Sequence, residues 1–216
     1  MNVVIVHGWE GHPDEGWFPW LKEALTKEGY SVHVLKMPHP DEPVIAEWVS
    51  FLEKNVIKET ILIGHSIGCQ TILRFLEKTS KKIPYVFFIA GWVTLQGLET
   101  QEEKEVAKPW LETPINYKKI RTHKTKFTAF FSDNDPYVPF KENSDIFKKE
   151  LNAKIILEKE KGHFAGSDGI SEIPNLLKEL FLITLVKKSK LSEKDAEEIG
   201  KKIRENVARK FKAMKY

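Results

Sequence analysis

Three side chains in this sequence have the types that acyl transfer needs, and they stand in the Ser-Asp-His chain order that goes with a nucleophile elbow: Ser66, Asp135 and His163. A serine hydroxyl is a poor nucleophile at neutral pH unless a histidine takes its proton. That histidine in turn needs a carboxylate to hold its tautomer and stabilise the charged ring. Ser66 stands in Gly64-His65-Ser66-Ile67-Gly68, the G-x-S-x-G pattern of a nucleophile elbow, where a tight strand-to-helix turn forces the serine into an unfavourable backbone conformation. Asp135 lies in Ser132-Asp133-Asn134-Asp135-Pro136, and His163 lies in Gly162-His163-Phe164, 28 residues beyond Asp135. Of the two neighbouring carboxylates, Asp135 is the better acid because the fixed ring of Pro136 holds it at a strand end, whereas Asp133 is expected to cap the turn. Attack on a carbonyl also needs two donors aimed at the developing oxyanion. The backbone N–H of Ile67, at the start of a helix, is one, and the N–H of Trp9, in the loop after the first strand, is expected to be the other. Taken alone, the elbow pattern also fits a strand-helix turn whose serine merely satisfies a backbone group.

Other chemistries fit poorly. The stretch from Gly64 to Thr71 lacks the lysine of a phosphate-binding loop, and no G-x-G-x-x-G follows a strand. The seven histidines never fall at metal-ligand spacing, so neither a metal nor a cofactor is expected. His65 reads as a structural residue of the elbow. The single Cys69 excludes an internal disulfide and reads as a small buried residue.

These residues need elements to position them. Met1 to Val6 predicts a strand, feeding His7-Gly8-Trp9. Trp17, Trp20, Leu21, Ala24 and Leu25 recur at helical spacing, and Gly29 closes that helix. Ser31 to Leu35 predicts a second strand, Pro38, Pro40 and Pro43 exclude regular structure, and Val44, Ile45, Trp48, Phe51 and Leu52 mark a second helix. Thr60 to Ile63 is the elbow strand, and the helix after it sets Thr71, Ile72, Phe75 and Leu76 between the charges of Arg74, Glu77 and Lys78. Tyr85 to Ala90, Lys126 to Phe131 and Lys154 to Leu157 predict further strands, with a helix around Glu142 to Leu151. Residues 93 to 125 are less regular and form the one stretch long enough for a small lid. There Glu99 to Val106 is expected to be helical, with Lys108-Pro109-Trp110 and Thr113-Pro114 as breaks. Ile173, Leu176, Leu177, Leu180 and Phe181 mark a last amphipathic helix. Strands alternating with helices imply a mostly parallel sheet covered on both faces, with the ligand site at the carboxyl ends of the strands. Trp9, Ser66, Asp135 and His163 all fall just beyond predicted strand ends.

The chain of 216 residues is sized for one substantial domain with an appendage, and its apolar runs are too short to span a bilayer. Its start carries no basic segment or small-residue cleavage site, so a cytoplasmic protein is expected. The net charge of +3 hides an asymmetry, because residues 187 to 216 carry +6 and the rest −3. Such a tail can touch nucleic acid or an anionic surface, but charge runs are more often a solvated helix face, and no nucleic-acid partner is expected. Ser192 to Asp195 has the form of a helix start, and Ala196, Ile199, Ile203, Val207 and Phe211 make a narrow apolar stripe after it. This basic helical extension is expected to dock on the body or to pair with a second subunit.

Val6-His7-Gly8-Trp9, Lys36-Met37-Pro38, Ile63 to Gly68, Ser132 to Pro139 and Lys161-Gly162-His163-Phe164 together resemble the small serine hydrolase family that includes retinoblastoma-binding protein 9 and the bacterial YdeN proteins. The resemblance covers roughly residues 1 to 185. It implies an α/β fold, a compact α/β-hydrolase with six parallel strands in the order 2-1-3-4-5-6 and little or no cap, over residues 1 to 186. It also implies metal-independent hydrolysis, with Ser66 as nucleophile, His163 as general base and Asp135 as the acid. The L-x-C-x-E motif that would bind the retinoblastoma protein is absent, so that partner is not expected. Trp92, Tyr137 and Phe164 are expected to shape an apolar substrate pocket beside Trp9, while Trp17, Trp20 and Trp48 read as core. The resulting expectation is a serine hydrolase of small carboxylic esters, with amides and thioesters as alternatives. A non-catalytic binding module of the same fold is the competing reading.

Overall fold

The computed structural model of the protein describes residues 1–188. A first compact unit, Met1–Glu172, contains a six-stranded sheet, all parallel, in the order β2-β1-β3-β4-β5-β6. The strands are β1 Asn2–Val6, β2 Ser31–Leu35, β3 Thr60–His65, β4 Tyr85–Ile89, β5 Lys126–Ser132 and β6 Lys154–Glu158. Between them run α1 Phe18–Lys27, α2 Ile45–Asn55, α3 Ile67–Lys78, α4 Gln101–Glu112, α5 Tyr117–Arg121 and α6 Phe140–Leu151. The helix α7, Pro174–Lys188, carries the last expected apolar pattern and belongs to a second unit that begins at Ile173. The stripe from Ala196 to Phe211, with all but the first two residues of the expected basic extension, lies outside the described residues. Among the described residues no helix is long and apolar enough to cross a membrane.

The central strands are β-branched and buried on both faces, as a parallel sheet requires. Val4, Val6, Leu62, Val86, Phe88, Ala129 and Phe131 join α2, α3 and α6 in one apolar core. Val3, Ile5, Ile61 and Ile63, which alternate with them, are equally buried and face the layer of α1, whose Phe18, Leu21 and Leu25 are buried. The central helix α3 is buried from Ile67 to Leu76.

Two expectations are corrected here. Arg74, read as part of a charged face, is buried, and its Nη2 donates to Trp110 O and Thr113 O, each at 2.8 Å. Pro109, read as a helix break, lies inside α4, which runs on to Glu112. Proline removes one helical hydrogen bond, but Trp110 is buried and its Nε1 donates to Pro43 O at 3.0 Å, while Arg74 satisfies carbonyls at the helix end. Tertiary anchoring thus outweighs the local break. The N-terminus of α4 is fixed by a Thr100/Glu103 capping box.

Candidate active site

Ser66 joins β3 to α3 with φ 51° and ψ −122°, a region that costs a non-glycine residue on the order of 1–3 kcal/mol. The turn closes because Gly68 carries no side chain: a Cβ there would overlap the carbonyl oxygen of Val6 and lie 2.6 Å from that of His7. Only glycine lets α3 start this close to β1. The strain turns Ser66 into a cleft of about 660 Å³ at the carboxyl end of the sheet. Among the described residues Ser66 Oγ has no hydrogen-bond partner; such bonds often tighten only when substrate is present. Because Ser66 precedes the first turn of α3, the N–H of Ile67 is one of the four donors that a helix leaves unpaired. The N–H of Trp9 likewise has no acceptor among the described residues, and Trp9 lines the same cleft, with its indole donating to Asp41 O at 2.7 Å.

Asp135 and His163 meet across the ends of β5 and β6. His163 Nδ1 lies 2.9 Å from Asp135 Oδ2, and their side chains are 15% and 2% exposed. A carboxylate only accepts, so Nδ1 carries a proton and the other nitrogen, Nε2, is left as the base of the neutral ring. Asp135 also caps its own turn, its Oδ1 accepting from Tyr137 N at 2.9 Å and Val138 N at 3.0 Å. That role was expected of Asp133, which instead reaches across to accept from Glu160 N at 2.8 Å. Ser132 Oγ accepts from Lys161 N at 3.0 Å, and Asn134 Oδ1 accepts from Gly162 N at 2.8 Å. Four successive side chains at the end of β5 therefore hold four successive residues of the loop that carries His163.

The expected substrate residues Trp92, Tyr137 and Phe164 all line the cleft. Trp92 is held by Gln70 Nε2, which donates to its carbonyl at 2.6 Å, and by Asn143, whose Oδ1 accepts from the next two backbone amides. Tyr137 packs edge-on to His163 at 5.4 Å between centroids. Trp17, read only as core, also lines the cleft, and its Nε1 donates to Phe164 O at 3.1 Å. Leu95, Leu98, Val106 and Ala107, from the stretch read as a lid, form another wall. Sequence reasoning missed Asn143 and Asp168: an isolated polar residue on a helix and an acid in a loop carry no distinguishing pattern. Burial lowers the pKa of His7, which accepts from Met37 N through Nε2, and pushes the Cys69 thiol up, so that it stays protonated. Among the described residues no three His, Cys, Asp or Glu side chains are gathered as metal ligands.

The serine hydrolase family model matches residues 3–181. The chain belongs to the serine hydrolase family. Relatives of this serine hydrolase include a protein described as a hydrolase, YdeN of Bacillus subtilis (strain 168), 28% identical over 179 residues, which are 80% of this chain and 90% of YdeN. The crystal structure of that gene product superposes with a TM-score of 0.73 at 25% identity, covering 83% of this chain and 96% of the other. Serine hydrolase RBBP9 of Rattus norvegicus is 27% identical over 173 residues, 77% of this chain and 89% of that protein. A structure described among carboxylesterases of Nitrososphaera gargenis matches at a TM-score of 0.67 and 15% identity, covering 87% and 92%, and this likeness shows the fold alone. The strand order and the serine hydrolase fold expected from the sequence are therefore both present.

Proposed function

We propose that this serine hydrolase cleaves small carboxylic esters through an acyl-serine intermediate. The observation that carries the reading is His163, paired at 2.9 Å with the buried Asp135, lining the same cleft as a strained, unpartnered Ser66. His163 Nε2 takes the Ser66 proton as Oγ bonds to the ester carbon. The carbonyl π pair moves to oxygen, and the N–H groups of Ile67 and Trp9 receive that oxyanion. Collapse of the tetrahedral adduct breaks the bond to the alcohol, which leaves with the proton from His163. Water, activated by the same nitrogen, then hydrolyses the acyl-serine and frees the acid. Asp135 holds the tautomer and stabilises the imidazolium. The accessible apolar surface of Tyr137, Leu95, Leu98 and Val106, backed by the buried Trp92 and Phe164, suits an apolar acyl or alcohol group, and a carboxylesterase is among the proteins of this fold.

The test is turnover of short-chain aryl esters together with labelling by a fluorophosphonate probe. Ser66→Ala and His163→Ala should each lower kcat by about 10⁴- to 10⁶-fold, and the double variant little further, because the groups act as a unit. A chelator should leave the rate unchanged. A folded protein that neither hydrolyses these esters nor takes up the probe at Ser66 would be a binding module on the same fold.

A further inference from the structure

Two contacts at the site take no part in the chemistry above. The imidazole of His65 is buried, and its Nε2 lies 2.8 Å from the backbone oxygen of His163. A carbonyl only accepts, so Nε2 carries the proton and Nδ1 is an unprotonated acceptor. That Nδ1 is buried with no hydrogen-bond partner among the described residues. Buried polar atoms are nearly always paired, so an orphaned nitrogen at a site that could be filled by an aliphatic side chain directs attention to its paired twin. Burial holds the ring neutral, with a pKa of about 3, and the donating tautomer therefore persists at neutral pH. On the other side of the loop, the Asp168 carboxylate accepts from His163 N at 2.8 Å and Ala165 N at 3.0 Å. Gly162, at φ +51°, leaves space for that carboxylate, since a Cβ there would lie 2.5 Å from Asp168 Cγ.

Both backbone polar groups of His163 are thus gripped, one from the elbow and one from its own loop. We propose that His65 and Asp168 are positioning residues that fix the His163 carbonyl and amide, and so aim its ring at Ser66. The proposal rests on the reading of His163 as the general base. In the sheet β4 and β5 separate β3, which ends in His65, from β6, which leads into the His163 loop. Three strand spacings amount to roughly 14 Å. Across that gap the His65 bond is, among the described residues, the single hydrogen bond between the elbow at 64–68 and the loop at 159–169. A shift of about 1 Å in a reacting group is enough to cost on the order of 100-fold in rate.

The experiment compares His65→Leu, which loses the donor, with His65→Gln, whose amide can offer an N–H at similar reach, and with Asp168→Ala at an exposed site. Aryl-ester kcat and KM are measured on variants whose melting shows them folded. His65→Leu and Asp168→Ala should each lower kcat about 10- to 100-fold with KM changed less than about twofold. His65→Gln should restore most of the loss. In a His163→Ala background neither substitution should slow the residual rate further, because nothing is left to position. The proposal is overturned if folded His65→Leu and Asp168→Ala turn over at the wild-type rate, if His65→Gln is as slow as His65→Leu, or if the losses persist in His163→Ala. Should His65→Leu fail to fold, Asp168→Ala decides by the same kcat, KM and background criteria. Ser66→Ala and His163→Ala by themselves test the triad: if both are inactive while the positioning variants are not, the positioning proposal alone fails.

Discussion

Acid should destabilise this protein through His65, a ring that the fold keeps neutral. Its folded-state pKa is lowered from 6.5 to about 3, first by desolvation and then by the neighbouring His163 ring, with His7 adding in the same direction and the bond to the His163 carbonyl and then Asp135 opposing. Between those two values the unfolded chain binds a proton that the folded chain refuses, so stability rises with pH and is lost as pH falls. Above about pH 6.5 there is no penalty. Below it the penalty grows by about 1.4 kcal/mol per pH unit, reaching about 3 kcal/mol at pH 4 and levelling off near pH 3. That is a large share of a typical domain stability of about 5–15 kcal/mol. Urea unfolding of the wild type and of His65→Gln at pH 7 and pH 4 isolates the effect, since the carboxylates and His7, whose pKa burial also lowers, are common to both. The wild type should lose about 3 kcal/mol more than the variant over this interval. Parallel pH dependences would refute the reasoning, because they would mean that His65 takes up its proton inside the fold near the ordinary value.

Two further outcomes follow from the geometry. Asp135→Asn should lower kcat by about 10³- to 10⁴-fold, because an amide can donate to Nδ1 and stabilise the wrong tautomer, whereas Asp133→Ala, which only loosens the loop at Glu160, should lower kcat far less, by about 10-fold at most, and cost about 1 kcal/mol for the lost bond to Glu160 N; kinetics and urea midpoints on both variants check this, and the opposite ranking would reverse the assignment. Gly68→Ala should destabilise by about 3 kcal/mol or more, since its Cβ has no room against the carbonyls of Val6 and His7. The corresponding fall in Tm is roughly 10 °C, and an unchanged Tm would show that β1 and α3 approach less closely.

The sheet was legible because each strand is a short apolar, β-branched run bounded by turn residues, and the strand-helix alternation leaves few topologies. What was not legible depended on partners remote in sequence. Nothing local says that Arg74 leaves the charged face of its helix to bond Trp110 O and Thr113 O, 36 and 39 residues away. Without that knowledge Pro109 reads as a break, whereas with Trp110 and the guanidinium in place the helix continues across it. The short α5 was missed for a similar reason, since five residues are too few to show a period.

The pairing of Asp135 with His163 was legible because its spacing follows from strand register. In the β5–β6 pair Thr128 stands opposite Lys154 and Ser132 opposite Glu158, a constant offset of 26 residues. Past the strand ends the two chains continue side by side, but side-chain acceptors replace backbone ones. Asp133 takes Glu160 N, Ser132 takes Lys161 N, Asn134 takes Gly162 N and Asp135 takes the His163 ring, at offsets of 27, 29, 28 and 28. The spacing of 28 between Asp135 and His163 is therefore the sheet register plus two residues, and the Ser-Asp-Asn-Asp run is a ladder that delivers the imidazole to its carboxylate. A histidine one residue earlier would stand at the Asn134 carboxamide, which cannot stabilise an imidazolium as a carboxylate does. His65 had no such signature, because its partner is a backbone carbonyl 98 residues away, and any sequence at that position offers the same oxygen.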